Sequence, residues 1–485
     1  MVSDKFRRQL RQEAELWQAE GLIDTDLYEQ LSERYQFNTL DTTARDRFVM
    51  ILLGLGSVLI GLGIITFVAA NWQELPRNGK VTLLLSLFIG VNTAGFYLWR
   101  QPKGAQHRLG HGLLLLGSLI LGANMGLMGQ MFHISGQFYE LLLAWGIGVL
   151  AMAYSLRLTS LSVVAIIIIG LGYWGFWGDY VGQGWSETLA GEEFSWSSQM
   201  GQHMPLISGL MFVPLAYWCR SRAIFGLAAI AVISSLLANL YPLSWGWFSF
   251  RSTGLLLAIA FALPPALLWA YDDSLWVYGD FYSSNRQPQP LATTGSFQPL
   301  SRSLSLAFLG VVLYLLSSFF FWRILSTDYS GDQPRNLNWL PLVDALILSG
   351  LAIFEWLRLA WLSRRIRDRS DSLITTIAIG IFISLVAAIP IWHLSFTPIP
   401  ELATLIFNVL LFLFAGGLMR AGLAQGERQP FWGGMVLVTL RIVTWFVLIE
   451  TGLVLKSLLF ILCGVVVIAV GLWFERYVRT LSIKH

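Results

Sequence analysis

The residues best placed to do chemistry are ionisable groups within long apolar segments. Arg441 lies in the middle of one such segment, where inserting a charge costs about 2.5–3.5 kcal/mol. A guanidinium at that depth needs a carboxylate or several carbonyls as partners, and Asp344 and Glu355 are the candidates. Glu355 also has Arg358 three residues further on, as a local partner. Arg441 therefore predicts either an anion or proton site, or a structural charge pair that fixes helix register.

A second set of polar residues lies near the predicted outer ends of the apolar segments. Groups of this kind can line a vestibule that binds a cation or titrates with external pH, or they can be solvated interfacial residues. They come from distant segments and lack the close spacing of metal ligands, so we predict no metal site and no cofactor. The set comprises His133, Glu140, His203, Asp344, His393, Glu401, Glu450 and Lys456.

Asn124 and Gln130 interrupt a glycine-rich stretch that runs from Gly122 to Gly136. Such a soft helical segment can unwind and offer backbone groups to a ligand, as the broken helices of transporters do. It can equally be a simple helix end. Both alternatives place polar groups close to the membrane surface.

Motifs for soluble catalysis are absent from the sequence. It contains no phosphate-binding P-loop, no Gly-x-Ser-x-Gly elbow and no His-Glu-x-x-His zinc motif. We therefore expect no enzymatic activity and no ATP-driven transport by this chain alone. Cys219 and Cys463 lie far apart in apolar segments, where we expect them to pack as small apolar residues. The basic residues lie in loops without interleaved aromatic residues, so we expect no nucleic-acid partner.

Long apolar runs must position all of these groups. Of the 485 residues, 55% are hydrophobic and only 13% are charged, whereas soluble domains carry about 25% charged residues. The runs have the length of about 20 residues that spans a bilayer as a helix. The sequence thus predicts an all-α, polytopic transmembrane helix bundle of about 14 spans. The predicted spans are 48–70, 81–99, 110–131, 138–155, 158–177, 204–219, 223–241, 254–271, 303–322, 339–361, 373–392, 402–423, 431–449 and 453–474.

Basic residues concentrate in alternate loops between these spans. Arg364, Arg365, Arg367 and Arg369 share one loop, whereas 179–203 contains neither lysine nor arginine. Loops rich in lysine and arginine stay on the cytoplasmic side. The pattern predicts cytoplasmic N- and C-termini in a bacterial plasma (inner) membrane, with the lipid bilayer as the surrounding solvent.

The first 46 residues are polar and predict a cytoplasmic helical hairpin at 1–46. Gly21 ends the first helix, and Asp26 with Glu29 forms a capping box for the second. The hairpin is either a docking element for a protein partner or a leader that packs on the inner helix ends. Its second helix repeats apolar residues at Leu27, Leu31 and Tyr35.

A second polar stretch, 272–302, is rich in serine, glutamine, proline and threonine. This composition predicts a flexible cytoplasmic linker. The linker divides the membrane domain into 47–271, with the first eight spans, and 303–485, with the last six.

The segment Gly129-Gln-Met-Phe-His-Ile-Ser-Gly136, a few residues before Leu143-Ala-Trp145, resembles the central motif of a bacterial integral-membrane family. That family is catalogued as domain of unknown function 2157. Trp17 and Gly21-Leu-Ile are similar to the short polar helix pair that precedes its first span. The resemblance covers residues 1–155 and implies a multi-pass membrane protein, without implying a particular activity.

Two functions follow from these observations. The number of spans and the buried charge at Arg441 predict a transporter-like permease for a small solute or ion. The alternative is a non-transporting membrane scaffold or assembly factor that docks a protein partner through the hairpin at 1–46.

Overall fold

The computed structural model describes most of the chain as helices joined by turns. No strand occurs within the described ranges. The chain divides into two compact units, Met1–Ser135 and Gly136–His485. The described residues are 4–35, 59, 66, 76–102, 104–182, 195–246, 250–273, 297–326, 340–365, 370–448, 457, 460–461, 464–465 and 467–472.

The helices described in the first unit are α1 (Asp4–Ala19), α2 (Thr25–Tyr35), α3 (Arg77–Trp99) and α4 (Ala105–Met131). Those of the second unit are α5 (Phe138–Leu156), α6 (Thr159–Gly182), α7 (Trp196–Gln202), α8 (Met204–Cys219), α9 (Arg222–Gly246), α10 (Phe250–Ala270), α11 (Gln298–Leu316), α12 (Phe319–Ser326), α13 (Leu340–Arg365), α14 (Ser370–Ser395), α15 (Pro400–Gln425) and α16 (Arg428–Leu448).

Nine of the described helices are long and apolar enough to cross a membrane. They are α3, α4, α5, α6, α9, α11, α13, α14 and α15. Helix α8 and the Gly254–Ala270 part of α10 are apolar but shorter. The prediction of a polytopic, all-helical membrane protein is confirmed. The predicted spans 48–70 and 453–474 lie largely outside the described residues.

The two N-terminal helices pack against each other through a small apolar cluster. Ala14 is fully buried at its centre, and Gly21 ends the first helical segment with a φ of +72°, a conformation that glycine adopts without strain. The residues packed around Ala14 are Leu10, Trp17, Ile23, Tyr28, Leu31 and Tyr35.

The start of α2 differs from the predicted capping box. Asp24, not Asp26, caps the helix, because its carboxylate accepts the Leu27 N–H at 2.9 Å. Helix α2 therefore begins two residues earlier than predicted, and Tyr28 packs against α1 while Leu27 is 44% exposed.

Helices α3 and α4 approach closely because glycines line their crossing. Gly110 is buried, and a Cβ at this position would overlap the backbone of Trp99 and the carbonyl of Gly95. Small residues allow this kind of contact, in which helix backbones gain dispersion energy without a hydrophobic driving force.

Helix α10 is the centre of the second unit, with α9, α11, α13 and α14 packed around it. Three side chains bond to carbonyls in its C-terminal half. Ser301 Oγ donates to Leu268 O at 2.6 Å, Ser305 Oγ to Pro265 O at 2.8 Å, and Trp356 Nε1 to Ala266 O at 3.0 Å. These bonds come from α11 and α13, so they fix both neighbours to the central helix.

The predicted linker 272–302 joins two helices of this same unit. Asp273 follows α10 directly and accepts the backbone N–H groups of Phe297 and Gln298 at 3.0 and 3.2 Å, which starts α11 at Gln298. Helices on both sides of the linker thus belong to one compact unit. Residues 274–296 lie outside the described ones.

The predicted span 303–322 is interrupted in the structure. Helix α11 ends at Leu316, and after Ser317 and Ser318 the short helix α12 begins at Phe319. The prediction of one continuous span is therefore wrong at this point, and the break exposes helix-end carbonyls within the bundle.

We predict that Gly110→Ala destabilises the packing of α3 on α4, whereas Gly112→Ala does not. A methyl group at Gly110 meets backbone atoms, but nothing lies within 4 Å of a Cβ at Gly112. Overpacking of this kind costs about 1–3 kcal/mol. Thermal unfolding of the full chain in detergent should show a lower apparent Tm for Gly110→Ala alone. Equal values for the two variants would contradict the close crossing.

Candidate functional site

The break between α11 and α12 leaves helix-end carbonyls without a partner in their own helix. Ser317 is completely buried, and its carbonyl accepts Arg441 Nη2 at 2.7 Å and Asn408 Nδ2 at 3.0 Å. The carbonyl of Leu316 accepts Trp322 Nε1 at 2.6 Å. Side chains from three other helices therefore satisfy the backbone groups that the break releases.

Arg441 is the charged member of this arrangement. It is 6% exposed, and its Nε donates to Asn408 Oδ1 at 2.7 Å. Asn408 in turn donates to the carbonyl of Thr404 at 2.7 Å, which fixes the orientation of its amide. Within the described residues, the groups that bond to the guanidinium are neutral, so its positive charge persists inside the bundle.

Neither predicted partner of Arg441 contacts it in the described structure. Helix α16 packs against α11 and α15, whereas α13, which carries Asp344 and Glu355, packs against α8, α9 and α10. Asp344 bonds instead to His203. Glu355 is buried where the charges of Arg358 and Asp272 act on it, and those two residues pair at 3.1 Å.

Polar and aromatic residues extend the site along the helices. Tyr314 OH and Thr444 Oγ1 are 2.6 Å apart, each one turn from Ser317 or Arg441. We use the name Arg441 cluster for Tyr314, Ser317, Asn408, Arg441 and Thr444.

His393 lies behind the Arg441 cluster and is completely buried. Its Nδ1 accepts the N–H of Ile399 at 2.9 Å, and its ring meets the edge of Trp322 at a centroid distance of 5.0 Å. Because Nδ1 accepts a hydrogen bond, that nitrogen carries no proton here. The predicted vestibule residue thus serves to close the turn between α14 and α15.

A second ionisable group in the unit is the pair of His203 and Asp344. The Nδ1 and Oδ1 atoms lie 2.7 Å apart, with Asp344 fully buried and the His203 side chain 27% exposed. His203 occupies the turn between α7 and α8. The contact brings together the first turns of α8 and α13, the two helix ends that the charge pattern predicts to be on the outer side.

The short helix α7 is held by polar contacts from its neighbours. Asn239 Nδ2 donates to the carbonyls of Gly201 and Gln202 at 3.2 and 2.8 Å. Ser197 Oγ donates to Glu140 Oε1 at 2.7 Å. Glu140 also accepts the backbone N–H at the start of its own helix, from residue 137, at 3.2 Å. Three helices, α5, α9 and α13, thus fix α7 and the turn that follows it.

A third polar group lies where α8, α10 and α11 meet. Tyr217 OH donates to Asp273 Oδ1 at 2.5 Å and lies 2.6 Å from Tyr271 OH. Asp273 also accepts backbone N–H groups at the start of α11, so these three residues connect α8, α10 and α11 by hydrogen bonds.

The remaining predicted site residues are Glu401, Glu450, Lys456 and His133. Glu401 is exposed in the first turn of α15. Glu450 and Lys456 lie outside the described residues. His133 belongs to the first unit, where its φ of +52° and the Ile134 N–H bond to Gly129 O at 2.9 Å close α4.

The glycine-rich stretch around Asn124 and Gln130 remains helical as far as Met131. Asn124 is buried and donates to Leu84 O at 3.0 Å, across to α3. Gln130 is exposed, and its carbonyl accepts the His133 N–H. Of the two alternatives for this segment, the simple helix end describes the structure.

The described residues contain no group of three or more His, Cys, Asp or Glu side chains that could hold a metal ion. His107 and His111 come close in α4, with their Nε2 atoms 3.2 Å apart, but His107 Nδ1 also bonds to the Trp99 carbonyl. This pair fixes the turn between α3 and α4.

Sequence reasoning missed the residues that actually hold Arg441. Asn408 lies in the apolar run Leu405-Ile-Phe-Asn-Val-Leu-Leu411, and Ser317-Ser318 interrupts the apolar run of α11. A polar amide inside a span and two adjacent serines were the available signals, since both are costly in lipid without partners.

Comparison with known proteins gives one family and one group of relatives. The family model described as Predicted membrane protein (DUF2157) matches residues 15–162. A probable 4-amino-4-deoxy-L-arabinose-phosphoundecaprenol flippase subunit ArnE from Klebsiella pneumoniae is 30% identical over 81 residues, which are 17% of this chain and 71% of that protein. Proteins of the same description from Salmonella paratyphi B and Salmonella typhi are 29% identical over 94 residues, 19% of this chain and 84% of theirs. No solved structure matches the chain.

Fold and site together define a polytopic α-helical membrane protein with ionic groups buried among its helices. Residues 15–162 of the chain match the DUF2157 family of predicted membrane proteins. The resemblance inferred for residues 1–155 is thereby confirmed, and the lipid bilayer is the environment of the bundle.

We predict that Asn408→Leu destabilises the second unit. Leucine removes the Oδ1 acceptor of Arg441 Nε, and breaking a buried charged interaction costs about 3–5 kcal/mol. Leucine also removes the Nδ2 donor to the carbonyls of Ser317 and Thr404. The measurement is the apparent Tm of the full chain in detergent, with the lipid-facing Leu405→Ala as control. If Asn408→Leu and Leu405→Ala lower the Tm equally, the bond to Arg441 contributes nothing to stability.

Proposed function

We propose that the chain is a transporter-like protein, not an enzyme, which moves a small solute or ion carrying an anionic group across a bacterial plasma (inner) membrane. The observation that carries the proposal is the buried Arg441 guanidinium, held by two neutral acceptors at a helix break.

Electrostatics gives the reason for an anion. A cation inside the bundle, bonded among the described residues to an amide oxygen and a carbonyl, keeps its full charge in a medium of low dielectric constant. A phosphate or carboxylate would complete its coordination, and a guanidinium is suited to both because it donates two parallel hydrogen bonds. The anion would thus lower the cost of holding Arg441 in the membrane.

The helix break supports transport rather than static packing. Non-helical backbone is tolerated at membrane depth where it lines a cavity or is buried in protein, and transporters place their binding sites at such discontinuous helices. Ser317 provides this break, and side chains of α15 and α16 converge on it.

The relatives support the same class and suggest which anion is carried. They are named as flippase subunits for an aminoarabinose linked through phosphate to undecaprenol, and they are bacterial. Because the likeness covers less than a fifth of this chain, we transfer only the chemical class. The proposed substrate therefore carries a phosphate group.

The test uses proteoliposomes that contain a fluorescent short-chain polyprenyl phosphate as the probe. Wild-type protein should accelerate movement of the probe between leaflets, measured as the fraction that an impermeant quencher reaches. Arg441→Leu should abolish this acceleration, because the guanidinium is lost. Leu405→Ala, which faces lipid, should keep it.

Arg441→Leu can also fail to accumulate in membranes. Arg441→Gln then carries the test, because its amide can still donate a hydrogen bond to the Ser317 carbonyl but has no positive charge, and it should remove probe movement while folded protein remains. Movement at the wild-type rate in either folded variant would refute the anion site, and no acceleration by wild type would refute the proposed substrate class.

A second function, a membrane scaffold, is favoured by the surface of the N-terminal hairpin. Leu16 is 54% exposed and Leu22 is 69% exposed, although both helices already share an apolar cluster. Exposed leucines of this kind suit contact with a protein partner. We propose this role for residues 1–46 as the alternative function.

Native mass spectrometry of the protein from its own membranes tests the alternative. The scaffold function predicts a stoichiometric protein partner that Leu16→Ser with Leu22→Ser removes, while probe movement in proteoliposomes is unchanged. Asp26→Ser is the control, since it changes an exposed polar residue of the same hairpin. A chain that carries no partner, or keeps it in the leucine variant, contradicts the scaffold function.

A further inference from the structure

The pair of His203 and Asp344 lies outside the Arg441 cluster and has a chemistry that the proposed function does not use. Asp344 is the fifth residue of α13 and is fully buried. Its Oδ1 is hydrogen-bonded to His203, and its buried Oδ2 accepts no hydrogen bond of normal geometry from the described residues.

The hydrogen bond at 2.7 Å requires one proton between Nδ1 and Oδ1. With a neutral imidazole and an ionised carboxylate, the pair then has a net charge of −1. A second proton makes the pair neutral overall. In surroundings of low dielectric constant, a neutral pair is less costly than a single net charge.

The imidazole is the partly exposed member of this pair. The His203 side chain is 27% exposed, whereas Asp344 is not exposed at all. The second proton can therefore enter at Nε2 of His203, because Nδ1 is occupied by the bond to Asp344. Asp344 remains the fixed counter-charge.

The other charged groups near the pair are on the helices that pack against α13. Among the side chains that the structure describes, His203 is the titratable group bonded to Asp344. Arg251 lies in the first turn of α10. Arg222 starts α9 at its opposite end. Glu355 and Arg358 lie eleven and fourteen residues further along α13, about 16–21 Å away at the rise of an α-helix.

The oxygens present favour a proton over a metal cation. Asp344 Oδ2 and Gln202 Oε1 are the buried oxygens without a hydrogen bond on α13 and at the end of α7, in the residues described. Hard cations take about six or more oxygen ligands. A proton needs only the nitrogen that the imidazole already offers.

We propose that the His203–Asp344 pair is a proton-binding site, which exchanges one proton with the aqueous phase at the end of the bundle where α8 and α13 begin. His203 Nε2 accepts the proton, the imidazole becomes an imidazolium, and the Asp344 carboxylate stabilises it. No other bond changes. Because His203 follows α7 directly, the proton is bound beside the helix that α5, α9 and α13 hold in place.

The test is acid-minus-alkaline infrared difference spectroscopy of the full chain in lipid nanodiscs, without any transported solute. The wild type should show a carboxylate band that changes as the imidazole titrates. That band should be lost in Asp344→Asn, and His203→Gln should abolish its change while leaving a carboxylate in place. Glu427→Gln, at an exposed position between α15 and α16, should leave the Asp344 band and its change unaltered.

A second measurement keeps the proposal testable if Asp344→Asn does not fold. The chain has six histidines, so ¹⁵N-histidine NMR of the wild type gives few signals, and His203→Gln identifies the relevant one. At alkaline pH, His203 should carry its proton on Nδ1, whereas a solvated histidine prefers Nε2. A proton on Nε2 of His203 at alkaline pH would overturn the proposal, as would an Asp344 infrared band that changes equally in His203→Gln. Both outcomes are independent of whether Arg441 binds an anion.

Discussion

Every backbone group inside a lipid bilayer must find a hydrogen-bond partner within the protein, and the arrangement of the second unit follows from this constraint. Where α11 stops at Leu316, two carbonyls lose their helical partners. Arg441, Asn408 and Trp322 supply the missing donors. The arginine that looks anomalous in an apolar sequence is therefore the complement of a helix end on another segment.

The same constraint explains what could be predicted from the sequence. Runs of about 20 apolar residues have essentially one structural solution in a bilayer, so the helices around 110–131, 138–155 and 402–423 were predictable, as was Arg441 as a residue of interest. The break at Ser317 was not, because its stability comes from donors 91 and 124 residues away. Local hydropathy contains no information about such partners.

The partner of Arg441 was mispredicted for a related reason. Opposite charges on different spans suggest a pair, but the pairing depends on which helices are neighbours. Helix α13 lies beside α8, α9 and α10, so Asp344 meets His203 and not Arg441. Prediction from sequence also failed over a short distance in the N-terminal hairpin. Asp24 and Asp26 are both good helix caps, and the packing of Tyr28 against α1 favours the cap at Asp24.

Helix α10 has a further consequence for motion. Pro264 and Pro265 lack N–H donors, so the carbonyls four residues earlier accept no hydrogen bond from the helix backbone. Bending the helix at this point therefore costs less free energy than bending it elsewhere. Helix α11 is bonded to the carbonyl of Pro265, and α13 to that of Ala266. Bending at the double proline would therefore move α11, which ends beside Ser317, together with α13, which carries Asp344. A single hinge in the central helix would thus couple the motion of the two sites.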